Sequence, residues 1–171
     1  MTLPVTTVDP RYSDPDAVPT GWDETCRVLE EAQVFWISTV RSDGRPHVTP
    51  CAAVWREGIL YFDTGTTQQK AINLRSNPHV VLTTGCNHWD RGLDVVVEGD
   101  AVRVSDDELL KDLAAVWATR WDGIFRFVAR DGYFRHAQDE ELPPVLVFSV
   151  TPTQVLAFGR GTRAGHTTHR F

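Results

Sequence analysis

The chain has 171 residues, of which 42% are hydrophobic and 23% charged, and its formal net charge is −6 at pH 7. This length predicts one compact domain with a hydrophobic core. The acidic balance argues against binding to nucleic acid or an anionic membrane, because both would need an excess of lysine and arginine. No apolar run approaches membrane-spanning length and no signal-peptide pattern opens the chain, so we expect a cytoplasmic protein.

The N-terminal segment, residues 1–19, is rich in proline and aspartate and poor in apolar residues. It indicates a flexible or surface-draped arm in front of a single domain over residues 20–171. The domain opens with a helix predicted at about 20–33, where Thr20 and Asp23 form a candidate capping box.

The rest of the chain alternates strand-like runs with turn signals, of which Ser42-Asp43-Gly44 and Arg56-Glu57-Gly58 are the strongest. Strands are predicted at 34–41, 45–55, 59–64, 79–85, 93–104, 144–150 and 153–158, and two further helices at about 67–75 and 106–120. Gly99 indicates a bulge or bend within its strand. The segment 121–138 shows no assignable pattern. The prediction is an α+β fold, a six- to seven-stranded antiparallel barrel with two or three peripheral helices.

Residues 64–70, Thr-Gly-Thr-Thr-Gln-Gln-Lys, join the third predicted strand to a short helix. The glycine allows close backbone approach, the helix N-terminus offers free N–H groups, and Lys70 adds a full charge. Three threonine hydroxyls supply further donors, at Thr64, Thr66 and Thr67. These features predict an anion site, and the alternative is a capped surface helix with a solvated lysine. The stretch lacks the G-x-x-x-x-G-K pattern of a P-loop.

The second predicted strand is compatible with a flat ligand beside it. Its Val48 and Thr49 point to opposite faces, and Pro50 cannot donate to a strand ladder, which predicts an edge or a bulge there. The alternative is an irregular barrel strand without a ligand.

Beyond the turn, Lys70 is followed by Asn73, Leu74 and Asn77-Pro78. This stretch resembles the S/T-x-K-x-x-N-L helix, the N-P and the next strand of the flavin and deazaflavin split β-barrel family, to which pyridoxamine 5′-phosphate oxidase belongs. The hairpin at 34–55 is similar to the family's D/N-G-x-P-x-V-x-P strands. The C-terminal HTTHRF is similar to its T-x-W/H-R-F ending. The resemblance spans residues 24–171.

The resemblance implies a homodimeric split β-barrel with a cofactor groove at the dimer interface. The cofactor phosphate would lie at the 66–70 turn, and the ring along the second strand, against His47, Val48, Thr49 and Pro50. It implies hydride transfer between coenzyme F420 and a small unsaturated substrate. Alternatives are an FMN-dependent oxidoreductase, a non-catalytic cofactor-binding or redox-sensing protein, and a barrel with an empty groove.

One departure from the family pattern affects the choice of cofactor. FMN-binding members place Ser or Thr and then Arg before the lysine, whereas this chain has Gln68 and Gln69. The arginine that would pair with the FMN phosphate is absent, which favours F420 over FMN.

Other polar groups are weaker candidates, and no catalytic residue or metal site is assigned. The loop from Cys86 to Asp90 matches no standard zinc spacing. We expect Trp89 to form a wall of the groove or a dimer contact, with His88 as an alternative proton donor to substrate. In the C-terminal tail, His169 and Arg170 are either part of a solvated end or, by the family resemblance, return across the dimer groove with Arg170 facing an anionic group and Phe171 as an anchor.

Overall fold

Residues 3–161 and 164–171 are described by the computed structural model, where they form eleven strands and three helices. The strands are β1 (Val5–Val8), β2 (Phe35–Val40), β3 (Pro46–Cys51), β4 (Ala53–Arg56), β5 (Ile59–Gly65), β6 (His79–Thr84), β7 (Leu93–Val104), β8 (Phe127–Arg130), β9 (Tyr133–His136), β10 (Val145–Gly159) and β11 (Gly165–Arg170). The helices are α1 (Trp22–Glu31), α2 (Gln69–Asn73) and α3 (Asp107–Arg120). Residues 1–2 of the predicted arm and 162–163 of the predicted tail lie outside this description.

All strand pairs are antiparallel, and the main path of the sheet runs β1-β11-β10-β7-β6-β2-β3. β5 pairs with β10 and with β4, so the sheet curls without closing. The α+β split-barrel prediction is confirmed. β3 pairs only with β2 among the described strands, and the edge position predicted from Pro50 is therefore correct.

The strands differ from the predicted ones where the chain bends. The predicted strand 45–55 breaks at Ala52 into β3, which pairs with β2, and β4, which pairs with β5. The predicted strands 144–150 and 153–158 are one strand, β10, with an irregular register against β7 between Pro152 and Gln154. Gly99 lies opposite this point, and a Cβ there would come within 2.6 Å of the Thr151 carbonyl oxygen. The irregularity predicted at Gly99 is confirmed.

Both predicted tight turns form, since Gly44 has φ 85° and Glu57-Gly58 have φ 55° and 84°. A third turn of this kind, Asp131-Gly132 with φ 57° and 74°, joins β8 to β9 inside the segment that the sequence left unassigned.

The ends of the chain form strands that the sequence did not predict. β1, within the predicted arm, pairs with β11, and β11 pairs with β10. The predicted Thr20-Asp23 capping box of α1 is wrong, because α1 begins after Gly21 without a side-chain cap. The Thr20 backbone N–H instead donates to Thr167 Oγ1 on β11, at 2.9 Å.

Two apolar cores lie on opposite faces of β4, β5 and β10. The barrel core contains buried residues of α1 and the main sheet, among them Leu29, Phe35 and Phe62. The second core packs α3 and the β8–β9 hairpin against the other face, around Trp117 and Phe134. Among helices in the described part of the chain, none is long and apolar enough to cross a membrane.

Candidate functional site

A cavity of about 330 Å³ lies between β3 and the beginning of α2. Its lining comes from two segments that are distant in sequence and adjacent at this edge of the sheet: His47, Thr49, Pro50, Gln68, Gln69 and Lys70. All six belong to the set that the sequence predicted for a cofactor.

The Lys70 side chain is buried, with 7% exposure, so the alternative of a solvated surface lysine is wrong. Its Nζ donates to Gln68 Oε1 at 2.7 Å, and the Thr64 hydroxyl donates to the same oxygen at 2.8 Å. No carboxylate among residues 3–161 and 164–171 lies within ion-pair distance of this ammonium. A buried charge with only a neutral acceptor is costly, and an anion in the cavity would complete the pairing.

The turn itself contributes less than the sequence suggested. α2 has five residues and no side-chain cap at Gln68, so its dipole is short. Thr66 and Thr67 lie beside the cavity but do not line it. The Thr66 carbonyl accepts from Arg75 Nη2 at 3.3 Å on the exposed side of the turn. The charge of Lys70 is therefore the main electrostatic feature of the cavity.

β3 contributes His47, Thr49 and Pro50 to the cavity lining. The Thr49 hydroxyl is buried with no hydrogen-bond partner among the described residues. Such an atom normally finds a protein, water or ligand partner. Val48, which the family resemblance placed against the cofactor ring, points to the opposite face, where it is exposed, and does not line this cavity.

A buried network of polar side chains holds the cavity wall in place. Gln69 Nε2 donates to Asn73 Oδ1 at 2.8 Å, and Asn73 Nδ2 donates to Thr39 Oγ1 at 2.8 Å. The Thr39 hydroxyl lies 3.4 Å from His47 Nδ1, which links α2 through β2 to β3. Sequence analysis missed Thr39, whose part depends on the pairing of β2 with β3.

Ionisable groups around Lys70 are shifted toward their neutral forms. Burial lowers the pKa of His47, and the charges of Arg41 and Lys70 lower it further, so the imidazole is neutral at neutral pH. Burial also raises the pKa of the Cys51 thiol to about 12, which keeps it protonated.

Asp63 lies behind the cavity on the face of β5 that packs against α3. Trp117 Nε1 donates to Asp63 Oδ1 at 3.0 Å. Burial raises the pKa of Asp63, although the Trp117 hydrogen bond and the charge of Lys70 oppose this. No motif in the sequence marked this residue.

Trp89 belongs to a second, larger cavity of about 860 Å³, between the 86–92 loop and the β10–β11 connection. Its indole is 86% exposed, and the Arg160 guanidinium lies 5.1 Å from the ring centroid. His88 Nε2 accepts from Arg91 in the same loop, at 3.1 Å. Within one chain, this cavity shares no lining residue with the Lys70 cavity.

The C-terminal candidates also lie apart from Lys70, since β11 and β3 are separated by four strands. His169 is fully buried, with Nδ1 2.9 Å from Thr6 Oγ1 and Nε2 3.0 Å from Thr25 Oγ1. This burial leaves no ring nitrogen free for a ligand, and it gives His169 a packing role. Arg170 is exposed, with Nε donating to Gln154 Oε1 at 3.1 Å, and Phe171 packs edge-on against Trp22.

The sequence matches the family model of pyridoxamine 5′-phosphate oxidase over residues 22–159. No curated protein matches it. Among solved structures, a conserved hypothetical protein from Mycobacterium tuberculosis is 21% identical and has a TM-score of 0.66, with 85% of this chain and 88% of that chain covered.

Two further solved structures share the fold. An F420 reductase is 24% identical, with a TM-score of 0.56 and coverage of 81% of this chain and 98% of its own. A FAD-binding protein from Mesorhizobium loti is 18% identical, with a TM-score of 0.60 and coverage of 96% and 98%. At these identities the structural matches show the fold alone.

Proposed function

The chain belongs to the pyridoxamine 5′-phosphate oxidase family, and from this premise we propose that it is an oxidoreductase that binds F420 in preference to FMN. The proposal rests on one observation, the buried Lys70 ammonium that faces a cavity without a carboxylate partner among the described residues. A phosphate group at this position would supply the missing negative charge.

The residues present fit such a cofactor. Lys70 would hold the phosphate, and the unpartnered Thr49 hydroxyl offers a further polar contact. The ring would lie along β3, against His47, Thr49 and Pro50. When bound, F420 supplies hydride transfer, and the protein supplies position and a water-poor surface.

The proposed reaction is hydride transfer to a small unsaturated or conjugated substrate. The Nδ1 of the neutral His47 imidazole lies 3.4 Å from Thr39 Oγ1, so Nε2 is left for one hydrogen bond at the cavity wall, and as a donor it would orient a carbonyl group. The buried Cys51 thiol, with its pKa near 12, does not act as a nucleophile.

We further propose that the protein is a homodimer with the cofactor between subunits. On the outer face of β2 and β3, next to the cavity, Trp36 and Val48 are 52% and 51% exposed. We expect these two apolar side chains to be covered by the second subunit. Trp89 and Arg170 of the second copy would then border the cofactor. Within one chain, neither residue lines the Lys70 cavity.

The test is titration of purified protein with F420 and with FMN, followed by absorbance and fluorescence. We expect F420 to bind at least about tenfold more tightly, or about 1.4 kcal/mol. Equal affinities, or FMN copurifying as a yellow protein, would contradict the preference for F420. Tight F420 binding without oxidation of reduced F420 by any unsaturated acceptor would point to a non-catalytic binding or sensing protein.

Dimerisation is tested separately by light scattering at decreasing protein concentration. We expect loss of cofactor and dissociation of the dimer to occur together. A stable monomer that retains F420 would contradict the shared site.

A further inference from the structure

The Gln68 carboxamide contacts the buried Lys70 ammonium directly, and it adds no charge to the cavity. We propose that the cavity selects a singly charged phosphodiester over a doubly charged phosphomonoester, and that Gln68 sets this selectivity. The inference rests on the proposed anion-binding function of Lys70.

Gln68 is held in one orientation by two hydrogen bonds. Its Oε1 accepts from Lys70 Nζ at 2.7 Å and from the Thr64 hydroxyl at 2.8 Å, which uses both lone pairs of the amide oxygen. The side chain folds back over Gly65, where a Cβ would meet Gln68 Cγ at 3.5 Å, an ordinary contact distance. With the oxygen engaged in this way, the amide NH2 remains as a donor at the cavity that Gln68 lines.

The lining of the cavity carries one formal positive charge. Lys70 supplies it, Gln68 and Gln69 are neutral, and the lowered pKa of His47 keeps that imidazole neutral at neutral pH. Arg75 contacts the outer side of the turn, where it is exposed and screened by solvent. Asp63, behind Lys70, can only reduce the net positive charge.

One buried positive charge matches one negative charge. A phosphodiester carries a single negative charge, whereas a phosphomonoester at pH 7.5 carries nearly two, because its second pKa is about 6. The second charge would receive hydrogen bonds from a carboxamide but no second cation from the lining, so it would lose part of its hydration at this open cavity without being neutralised. The phosphate of F420 is a diester and that of FMN a monoester, so this selectivity accounts for the preference proposed above.

A simpler role for Gln68 is that of a placeholder that any anion displaces from Lys70. The two roles differ in the expected effect of Gln68→Ala. A placeholder competes with the ligand, so its removal would strengthen binding. A residue that positions Lys70 and donates to the ligand would weaken binding when removed, by about threefold to tenfold for one neutral hydrogen bond.

The experiment uses three ligands with the same ring: riboflavin, the methyl phosphodiester of riboflavin, and FMN. They carry no, one and nearly two negative charges at the same position. Each displaces F420 from the protein at pH 7.5, and affinity is read from F420 fluorescence. For the wild type we expect the methyl diester to bind at least about fivefold more tightly than FMN and than riboflavin.

The variant Gln68→Arg adds a second positive charge at the cavity, and we expect it to reverse the order so that FMN binds more tightly than the diester. Gln138→Arg, at an exposed position in the loop before β10, is the control and should keep the wild-type order. Circular dichroism of each variant shows that it is folded.

Each outcome decides between the inferences. If FMN binds as well as the diester to the wild type, or if Gln68→Ala binds the diester more tightly, the selectivity inference is overturned while the cofactor site stands. If F420 binds and none of the three flavins displaces it, phosphate charge at this turn does not select the ligand, and the inference is likewise overturned. If F420 itself does not bind, the proposed function fails with it.

Discussion

Two buried basic side chains lie at opposite ends of the main sheet path, Lys70 beside β3 and His169 on β11. Both were predicted from the sequence to contact a cofactor. His169 has a hydroxyl at each ring nitrogen, from Thr6 and Thr25, and lines none of the described cavities. Lys70 has one neutral acceptor and an open cavity.

The difference shows that burial of a basic group does not by itself mark a binding site. An imidazole can be buried in its neutral form, and two hydroxyls then satisfy both of its nitrogens. An ammonium stays charged unless burial is severe, and neutral oxygens do not neutralise it. The informative quantity is therefore the charge that remains unpaired at a cavity.

The largest expected effect is a loss of stability when His169 on β11 is replaced. His169→Ala removes a fully buried ring and leaves the Thr6 and Thr25 hydroxyls without their partner, so we expect a loss of about 2–4 kcal/mol in the free energy of unfolding. Cofactor affinity of the folded variant should not change. Urea denaturation and F420 titration measure the two quantities.

The matched control for His169→Ala is His79→Ala, because His79 is an exposed histidine with a side chain 76% accessible. Its effect on stability should stay within about 0.5 kcal/mol. Loss of cofactor affinity in His169→Ala without loss of stability would show that His169 contacts the cofactor. The contrast between His169 and Lys70 would then be wrong.

At the other end, Lys70→Met removes the charge and keeps most of the side-chain volume. We expect F420 affinity to fall about tenfold to a hundredfold, since one charge-assisted contact is worth about 1.5–3 kcal/mol. Stability without cofactor should stay equal or rise, because an unpaired buried charge is removed. The melting temperature and an F420 titration test both expectations.

Lys111→Met is the control for Lys70→Met, since Lys111 is exposed on α3 and already paired with Glu108. It should leave both cofactor affinity and melting temperature nearly unchanged. Unchanged F420 binding in Lys70→Met would show that the cavity is not the phosphate site.

The contrast between Lys70 and His169 also shows which features could be predicted from the sequence. The turns at Gly44 and Gly58 predicted the hairpins, and the motif around Lys70 predicted three residues of the cavity lining. The other three, on β3, were expected there from the family resemblance. The family match confirms the resemblance on which the motif was interpreted. The turns and the Lys70 motif each depend on residues that are close in sequence.

Features that depend on strand pairing were missed. The burial of His169 follows from pairing of β11 with β1, and β1 lies in a segment without a strand pattern. The parts played by Thr39 and Asp63 likewise depend on which strands and helices meet. Asp131-Gly132 was a readable hairpin signal, but the aromatic residues around it obscured the strand alternation.

A smaller effect is expected from the network that supports the Lys70 cavity. Thr39→Val keeps the shape of the side chain and leaves the buried Asn73 Nδ2 without its acceptor, so stability should fall by about 1–3 kcal/mol. F420 affinity should fall by about threefold or less, because Thr39 does not line the cavity. Thr119→Val, on the exposed face of α3, controls for loss of a hydroxyl.

A larger loss of F420 affinity in Thr39→Val than in Lys70→Met would show that the network, and not the charge, determines binding. Urea denaturation and the same titration provide both numbers.

The smallest expected effect is a dependence of the free energy of unfolding on pH, to which the buried His169 contributes. Burial lowers the pKa of His169 below its usual value of 6.5, so the unfolded state binds more protons than the folded state just below pH 6.5. Stability is therefore full above pH 6.5 and falls as pH decreases toward the folded pKa, by at most about 1.4 kcal/mol per pH unit. His47, whose pKa is also lowered, contributes with the same sign.

We expect His169→Gln to flatten this slope between pH 5.5 and 7.5, with the residual slope due to His47. The raised pKa of Asp63 acts in the opposite direction, because its protonated form is favoured in the folded state, and that contribution appears at lower pH, nearer the ordinary carboxyl pKa of 3.8. Urea denaturation at several pH values measures the slope. An unchanged slope in His169→Gln would mean that the buried histidine does not titrate differently in the folded and unfolded states, and the account of it as a neutral, fully satisfied group would be wrong.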